Sequence, residues 1–240
     1  MVRTKNQDAL VRESFALPGA VVHLCAVADG MGGHLAGDVA SRTAVEELSL
    51  GVAEAILGLP PREVLSLAVT RANSKVLHMA QSDPSCSGMG TTLTAALLFP
   101  DVAYICHVGD SRAYAYQGGG LTRLTNDHSY VEELLRKGEL TLDDAENHPK
   151  RNILTRALGV NDYLLVDCQE YALDGVEMLL LCTDGLTKLV SDCELQGIIE
   201  AQPDPAEVLR ALLALALERG APDNVTVLLI SRGGGDSCGD

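Results

Sequence analysis

Apolar residues run almost unbroken from Val21 to Ala28 and stop at Asp29, a length and composition that predict a buried strand. Four of the next eight residues are glycine (Gly30, Gly32, Gly33, Gly37). Over 38–57 the spacing becomes helical, with Val39, Ala40, Ala44, Val45, Leu48, Val52 and Ile56 recurring on one face. Pro60-Pro61 ends that helix, and Pro61 suits the first turn of a second one running to about residue 81. Segments 91–99 and 102–108, joined by Pro100-Asp101, predict an antiparallel pair. Residues 112–117 turn at Gly118-Gly119-Gly120 and pair back through 121–124, so 91–124 reads as a meander rather than a series of crossover units. The chain then turns charged over 126–159, where helical pieces at 130–137 and 142–146 read as a flap or insertion. Segments 164–171 and 177–182 read as a hairpin about Leu173-Asp174-Gly175, followed by helices over 192–201 and 205–218 and a final strand over 224–231. Residues 1–9 read as a short polar entry, and 233–240 as a disordered tail.

Strands grouped apart from paired helices predict an α+β fold with antiparallel sheets in the middle and helices packed outside. A doubly wound parallel sheet would need strand and helix to alternate throughout. Residues 1–232 are read as a single domain, with the flap at about 127–159.

Composition narrows the function classes. The chain has 240 residues, a formal net charge of −15 and only 3% aromatic residues, with no Trp. That balance argues against nucleic acid and anionic membrane surfaces as partners. The seven Cys are scattered, odd in number and form no C-x-x-C, which points to reduced thiols acting as small hydrophobes in a cytoplasmic protein. No apolar run approaches the ~20 residues needed to span a bilayer.

Asp29 has company. Asp110, Asp184 and Asp223 each sit beside the end of an apolar strand pattern, next to glycine or a turn residue. Four carboxylates converging on one site would repel one another and call for counter-charge. The donors are oxygens, without a Cys or His cluster, so Mg²⁺ or Mn²⁺ fits better than Zn²⁺. Gly30 could add its carbonyl, because a residue without Cβ allows close approach. Two metals flanking a water suit phosphoryl transfer to that water. Arg3 is then a candidate to bind the phosphate, and His34 a candidate to protonate the leaving oxygen. Cys106-x₅-Arg112 has the spacing of a cysteine-dependent phosphatase, but a strand and a glycine turn follow Arg112 where a thiolate-activating helix is needed. Gly30-Met31-Gly32-Gly33-His34 lacks the lysine of a nucleotide P-loop.

Arg3-x-x-Asn6-Gln7-Asp8, Asp29-Gly30-Met31-Gly32-Gly33-His34, Gly88-Met89-Gly90-Thr91-Thr92, Val108-Gly109-Asp110-Ser111-Arg112, Asp184-Gly185-Leu186 and Asp223-Asn224-Val225-Thr226 occur in this order. Together they resemble the metal-dependent Ser/Thr protein phosphatases, the protein phosphatase 2C or PPM family, in their compact bacterial form. Asp127-His128-Ser129 and the stretch from His148 to Gly159 resemble that family's flap boundaries. The resemblance implies a β-sandwich flanked on both sides by helix pairs, with the metals at one end. It implies that Asp29 bridges two metals, that Gly30 helps hold that pair, and that Asp184 and Asp223 complete the ligands of the first metal. Asp110 and Asp184 match ligands of a third, weaker metal; Asp8 matches an acid bonded to metal waters, and Arg3 the phosphate-binding Arg. Phosphoserine and phosphothreonine proteins are the implied substrates, opposite a bacterial Ser/Thr kinase, and a monomer is expected. The sequence departs from the family pattern at Gln7, where many members carry Glu, and at Met31, where eukaryotic members carry the proposed acid His. The alternative on the same fold is a regulator that binds phosphoproteins without hydrolysing them.

Overall fold

The computed structural model describes residues 3, 5–202 and 204–231, leaving aside the side chains of residues 33–35 and 146. The tail expected over 233–240 lies outside the described residues. Among the described residues the first sheet contains β1 (Asp8–Leu17), β2 (Ala20–Met31), β4 (Leu93–Leu98), β5 (Val102–Val108) and β8 (Asp167–Ala172), in that spatial order, with the short β3 (Gly90–Thr91) pairing the end of β2. The second sheet orders β10 (Val227–Ser231), β9 (Val176–Cys182), β6 (Arg112–Gln117) and β7 (Gly120–Arg123). All pairings are antiparallel.

Three apolar layers hold these sheets and their helices together. Helices α1 (Gly33–Ala55) and α2 (Pro61–Ser82) lay Leu48, Leu65 and Val76 over Leu24 and Leu97 of the first sheet. Val27 and Ile105 meet Leu179 and Leu181 between the sheets. On the far side α6 (Asp192–Ala201) and α7 (Pro205–Glu218) place Leu195 and Leu212 against Tyr114 and Leu180. β2 explains its own sequence: Leu24 and Ala26 face the helices while Cys25 and Val27 face the other sheet, so both of its faces are apolar. The helix–sheet–sheet–helix order is the expected α+β sandwich.

Four local expectations are corrected. The polar entry expected over 1–9 gives way at Asp8 to a ten-residue strand, 8–17, because Ala9, Val11, Phe15 and Leu17 cover the α1 side while Glu13, on the same face, accepts a hydrogen bond from Ser49 of α1. β8 and β9 are not a hairpin: β8 pairs with β5 and β9 with β6 and β10, so the short turn between them passes the chain from one sheet to the other. The link from β5 to β6 does the same at Gly109–Ser111, so this stretch is no single meander. Finally, Cys106 and Cys168 face each other in the β5–β8 register with Cα atoms 4.2 Å apart and form a disulfide. The reading of every cysteine as a reduced thiol therefore fails at this pair, and Cys106 is buried and bonded rather than available as a nucleophile.

Candidate metal centre

The registers bring the chemistry-bearing residues to one end of the sandwich. Asp8, at the start of β1, lies directly opposite Asp29, near the end of β2. Asp110 follows β5, Asp184 opens the short helix α5 (Asp184–Thr187) just after β9, and Asp223 precedes β10. Asp29, Asp110, Asp184 and Asp223 line one cavity of about 650 Å³, together with Arg3, Lys5 and Arg156.

The glycines after Asp29 and Asp184 let a neighbouring backbone press close. A Cβ on Gly30 would meet the carbonyl oxygens of Gly37 at 1.9 Å and of Gln7 at 2.7 Å. Gly30 N–H donates to that Gln7 carbonyl at 3.0 Å. Gly185 repeats the arrangement after Asp184, with the Asn224 carbonyl 1.9 Å from where its Cβ would be. Thr92 joins two of the segments: its hydroxyl accepts from Asp29 N–H at 2.9 Å and lies 2.7 Å from the Ser111 hydroxyl.

Packing these acids together raises their proton affinity. Burial, then the charges of Asp184, Asp8 and Asp110, push the Asp29 carboxyl up to about 10. Burial and then Asp184 push Asp110 up to about 7. Burial pushes Asp8 up to about 6, although hydrogen bonds from Thr226 and Thr183 oppose it. Such a cluster stays charged near neutral pH only with added positive charge.

Part of that charge comes from the chain itself. Arg3 pairs with Asp223 through two nitrogens, each 3.0 Å from a carboxylate oxygen. Lys188 pairs with Asp184; burial opposes its charge, but Asp184, Asp110 and Asp29 together hold the ammonium above its ordinary range. Among the described residues no three His, Cys, Asp or Glu side chains stand close enough to form a ready-made ion cage. The donor set nevertheless fits a hard divalent cation. Asp8 Oδ1 and Asp184 Oδ1 are buried without a hydrogen-bond partner, and the donors facing the cavity are oxygens.

The structure thus brings together Arg3, Asp8, Asp29, Gly30, Asp110, Asp184 and Asp223. His34 lies in the first turn of α1, and its side chain is outside the described residues. Gln7 reaches the cavity wall, and its backbone N–H donates to Asn224 Oδ1 at 2.9 Å. Several functional residues escaped sequence reasoning. Asn224 fastens the segment carrying Arg3, donating also to Lys5 O at 3.1 Å. Lys188 sits four residues after Asp184, a helical spacing that could have revealed the pair. Asp38, with a buried and unpartnered Oδ1, follows Gly37 in α1. His128 clamps the loop carrying Asp110: its ring Nδ1 accepts from Gly109 N–H at 3.1 Å, and its own N–H donates to Gly109 O at 2.6 Å. Its Nε2 lies 3.0 Å from Asp167 Oδ2, and Asp167 also accepts from the cavity residue Arg156 at 2.8 Å.

Comparison with known proteins gives this geometry a context. Residues 2–214 match the family described as Protein phosphatase 2C. The serine/threonine phosphatase stp of Listeria welshimeri is 43% identical over 209 residues, covering 86% of this chain and 83% of that protein. The crystal structure of the serine/threonine phosphatase Stp1 from Staphylococcus aureus superposes with a TM-score of 0.88 at 33% identity, covering 97% of this chain and 91% of that one. The catalytic domain of the serine threonine protein phosphatase PstP, solved in complex with two manganese ions, matches with a TM-score of 0.78 at 33% identity over 95% of this chain and 92% of that one.

Proposed function

Because this chain belongs to the protein phosphatase 2C family, we propose that the cavity at the end of its sandwich hydrolyses phosphoserine and phosphothreonine esters in proteins around two divalent cations. The observation that carries the reading is the meeting of four carboxylates from four separate segments with three cationic side chains on one cavity. The manganese pair in the PstP structure supports the same reading. Asp29, the Gly30 carbonyl, Asp184 and Asp223 would hold the pair, Asp110 would serve a third ion, and Asp8 would orient water from behind Asp29. Mg²⁺ or Mn²⁺ bound there supplies Lewis acidity toward phosphoryl oxygens and a water of lowered pKa.

The chain's own residues do the rest. Asp223 takes the Nε–Nη2 edge of Arg3 and holds the guanidinium at the cavity, where its remaining N–H groups would meet phosphate oxygens. Lys5 and Arg156 offset the repulsion that a phosphate dianion meets from the acids. Thr92 and His128 keep the Asp29 and Asp110 segments in fixed relation, so that little reorganisation is left for the reaction. The layers from β1 to β10 act as one phosphatase domain. Its substrates are the products of a Ser/Thr kinase, and it works as a monomer.

With Mn²⁺ the protein should turn over p-nitrophenyl phosphate and a phosphothreonine peptide. EDTA, or Asp29→Asn, should lower kcat/KM by roughly a hundredfold or more, while iodoacetamide should leave it intact. Activity that persists in EDTA would overturn the reading.

A further inference from the structure

Val160 and Asn161 line one side of the cavity, and the segment 159–166 that carries them is fixed to the helices behind it. Asn73, fully buried on α2, accepts from Gly159 N–H at 2.9 Å and donates to Asn161 O at 2.9 Å. Leu164 and Val166 then pack inward on the apolar layer beneath α1 and α2. That alternation turns the intervening side chains outward: Tyr163 is 83% exposed and Leu165 51%. Val160, also 51% exposed, is itself part of the cavity wall. Single exposed apolar residues are ordinary. Here three large ones share one pinned segment, so the backbone cannot swing them back under cover, and they continue the wall of a charged site.

We infer that this rim receives a large apolar side chain adjacent to the phosphorylated residue of a substrate protein, which makes the enzyme selective for aliphatic or aromatic flanks. The inference rests on the phosphatase reading above. Continuity names the occupant: Val160 and Asn161 belong to the cavity wall, so whatever covers the rim lies across the cavity mouth. A peptide whose phosphate is drawn to Arg3, Lys5 and Arg156 advances about 3.3–3.6 Å per residue, and its flanking residues leave the cavity past Val160 in the wall, three residues before Tyr163. A second copy of the chain seated there would instead shut the cavity. The exposed Asp162 on the rim and the net charge of −15 disfavour an acidic flank.

The test uses phosphothreonine peptides carrying Leu, Gly or Glu on the N-terminal side, and a second series on the C-terminal side. Each is assayed with Mn²⁺ and expressed relative to p-nitrophenyl phosphate turnover. In one series the Leu peptide should exceed the Gly peptide in kcat/KM by about tenfold, with the Glu peptide lowest. The double variant Tyr163→Ser, Leu165→Ser, shown to be folded by its thermal melt, should bring the Leu peptide down to the Gly value. Equal kcat/KM across both series in the wild-type protein overturns the inference and leaves the phosphatase reading standing. Failure to hydrolyse any peptide or p-nitrophenyl phosphate sinks the phosphatase reading itself. Rim substitutions that change sedimentation but not flank preference assign the rim to a second copy, and overturn the inference as well.

Discussion

Gly30 shows how tightly one position can be determined. Its missing Cβ leaves room for the carbonyls of Gly37 and Gln7, which come from opposite sides of Asp29. Gly30→Ala should therefore cost about 3 kcal/mol or more, because backbone rather than a flexible side chain must give way, and activity should fall with it. Gly58→Ala is the matched comparison: its Cβ would find nothing nearer than the Ala55 carbonyl at 3.9 Å, and its melting temperature should stay level or rise slightly. At this scale the carboxylates were legible in the sequence, since each stands by a strand end with glycine or a turn residue beside it. Asn224 and Lys188 were not. Asn224 reaches its partner across 217 residues, a separation that no local pattern encodes, and the bond of Lys188 to Asp184 passes for one more solvated i,i+4 pair.

Among the elements, β5 carries a pH dependence of its own, away from the acid cluster. His107 is buried between Thr94 of β4, at 2.9 Å from its Nδ1, and the Asn126 carbonyl, at 3.0 Å from its Nε2. Burial, then the neighbouring His128, drive its pKa down to about 3 from the ordinary 6.5. Between those values the unfolded chain binds the extra proton and the folded one does not, so stability falls as pH drops below 6.5. At pH 5 the expected loss from this group is about 2 kcal/mol. Urea midpoints of the wild-type protein and His107→Gln at pH 7.5 and pH 5 check this: the variant should show the smaller difference. Equal differences would remove His107 as the cause. The helices at 142–146, 192–201 and 205–218 were readable to the residue because caps and prolines mark them. The fate of β8 was not: a short turn around Asp174-Gly175 predicts a hairpin, but the partner of each strand is settled by which sheet needs an edge covered, a property of the assembled layers.

For the whole molecule, the acid cluster sets function against stability. Four carboxylates gathered at one end of the sandwich raise the energy of the folded state until cations offset them. Mn²⁺ at a hundred times its dissociation constant should stabilise the protein by about 2.7 kcal/mol, read as a rise in melting temperature. Asp29→Asn should abolish that rise and, without metal, melt above the wild-type protein by an amount equivalent to about 1–2 kcal/mol. A variant that still gains stability from Mn²⁺ would place the ion elsewhere. The layer order was legible because β2 is apolar on both faces and the flanking helices on one. The cross-strand disulfide was not, since Cys106 and Cys168 are 62 residues apart and meet only through the β5–β8 register.

The cavity is also closed by segments that a ribosome delivers at very different times. Asn224 holds Gln7 and Lys5, Asp223 holds Arg3, and Asp8 accepts from Thr183 at 2.8 Å. At translation rates of about 5–20 residues per second, the 217 residues between Gln7 and Asn224 take on the order of 11–43 seconds to emerge. Until Asp223 and Asn224 emerge, the bonds that fasten Arg3, Lys5 and the Gln7 backbone at the cavity cannot form. The contacts that join the first residues of the described chain to its last strand are therefore among the latest that folding can make.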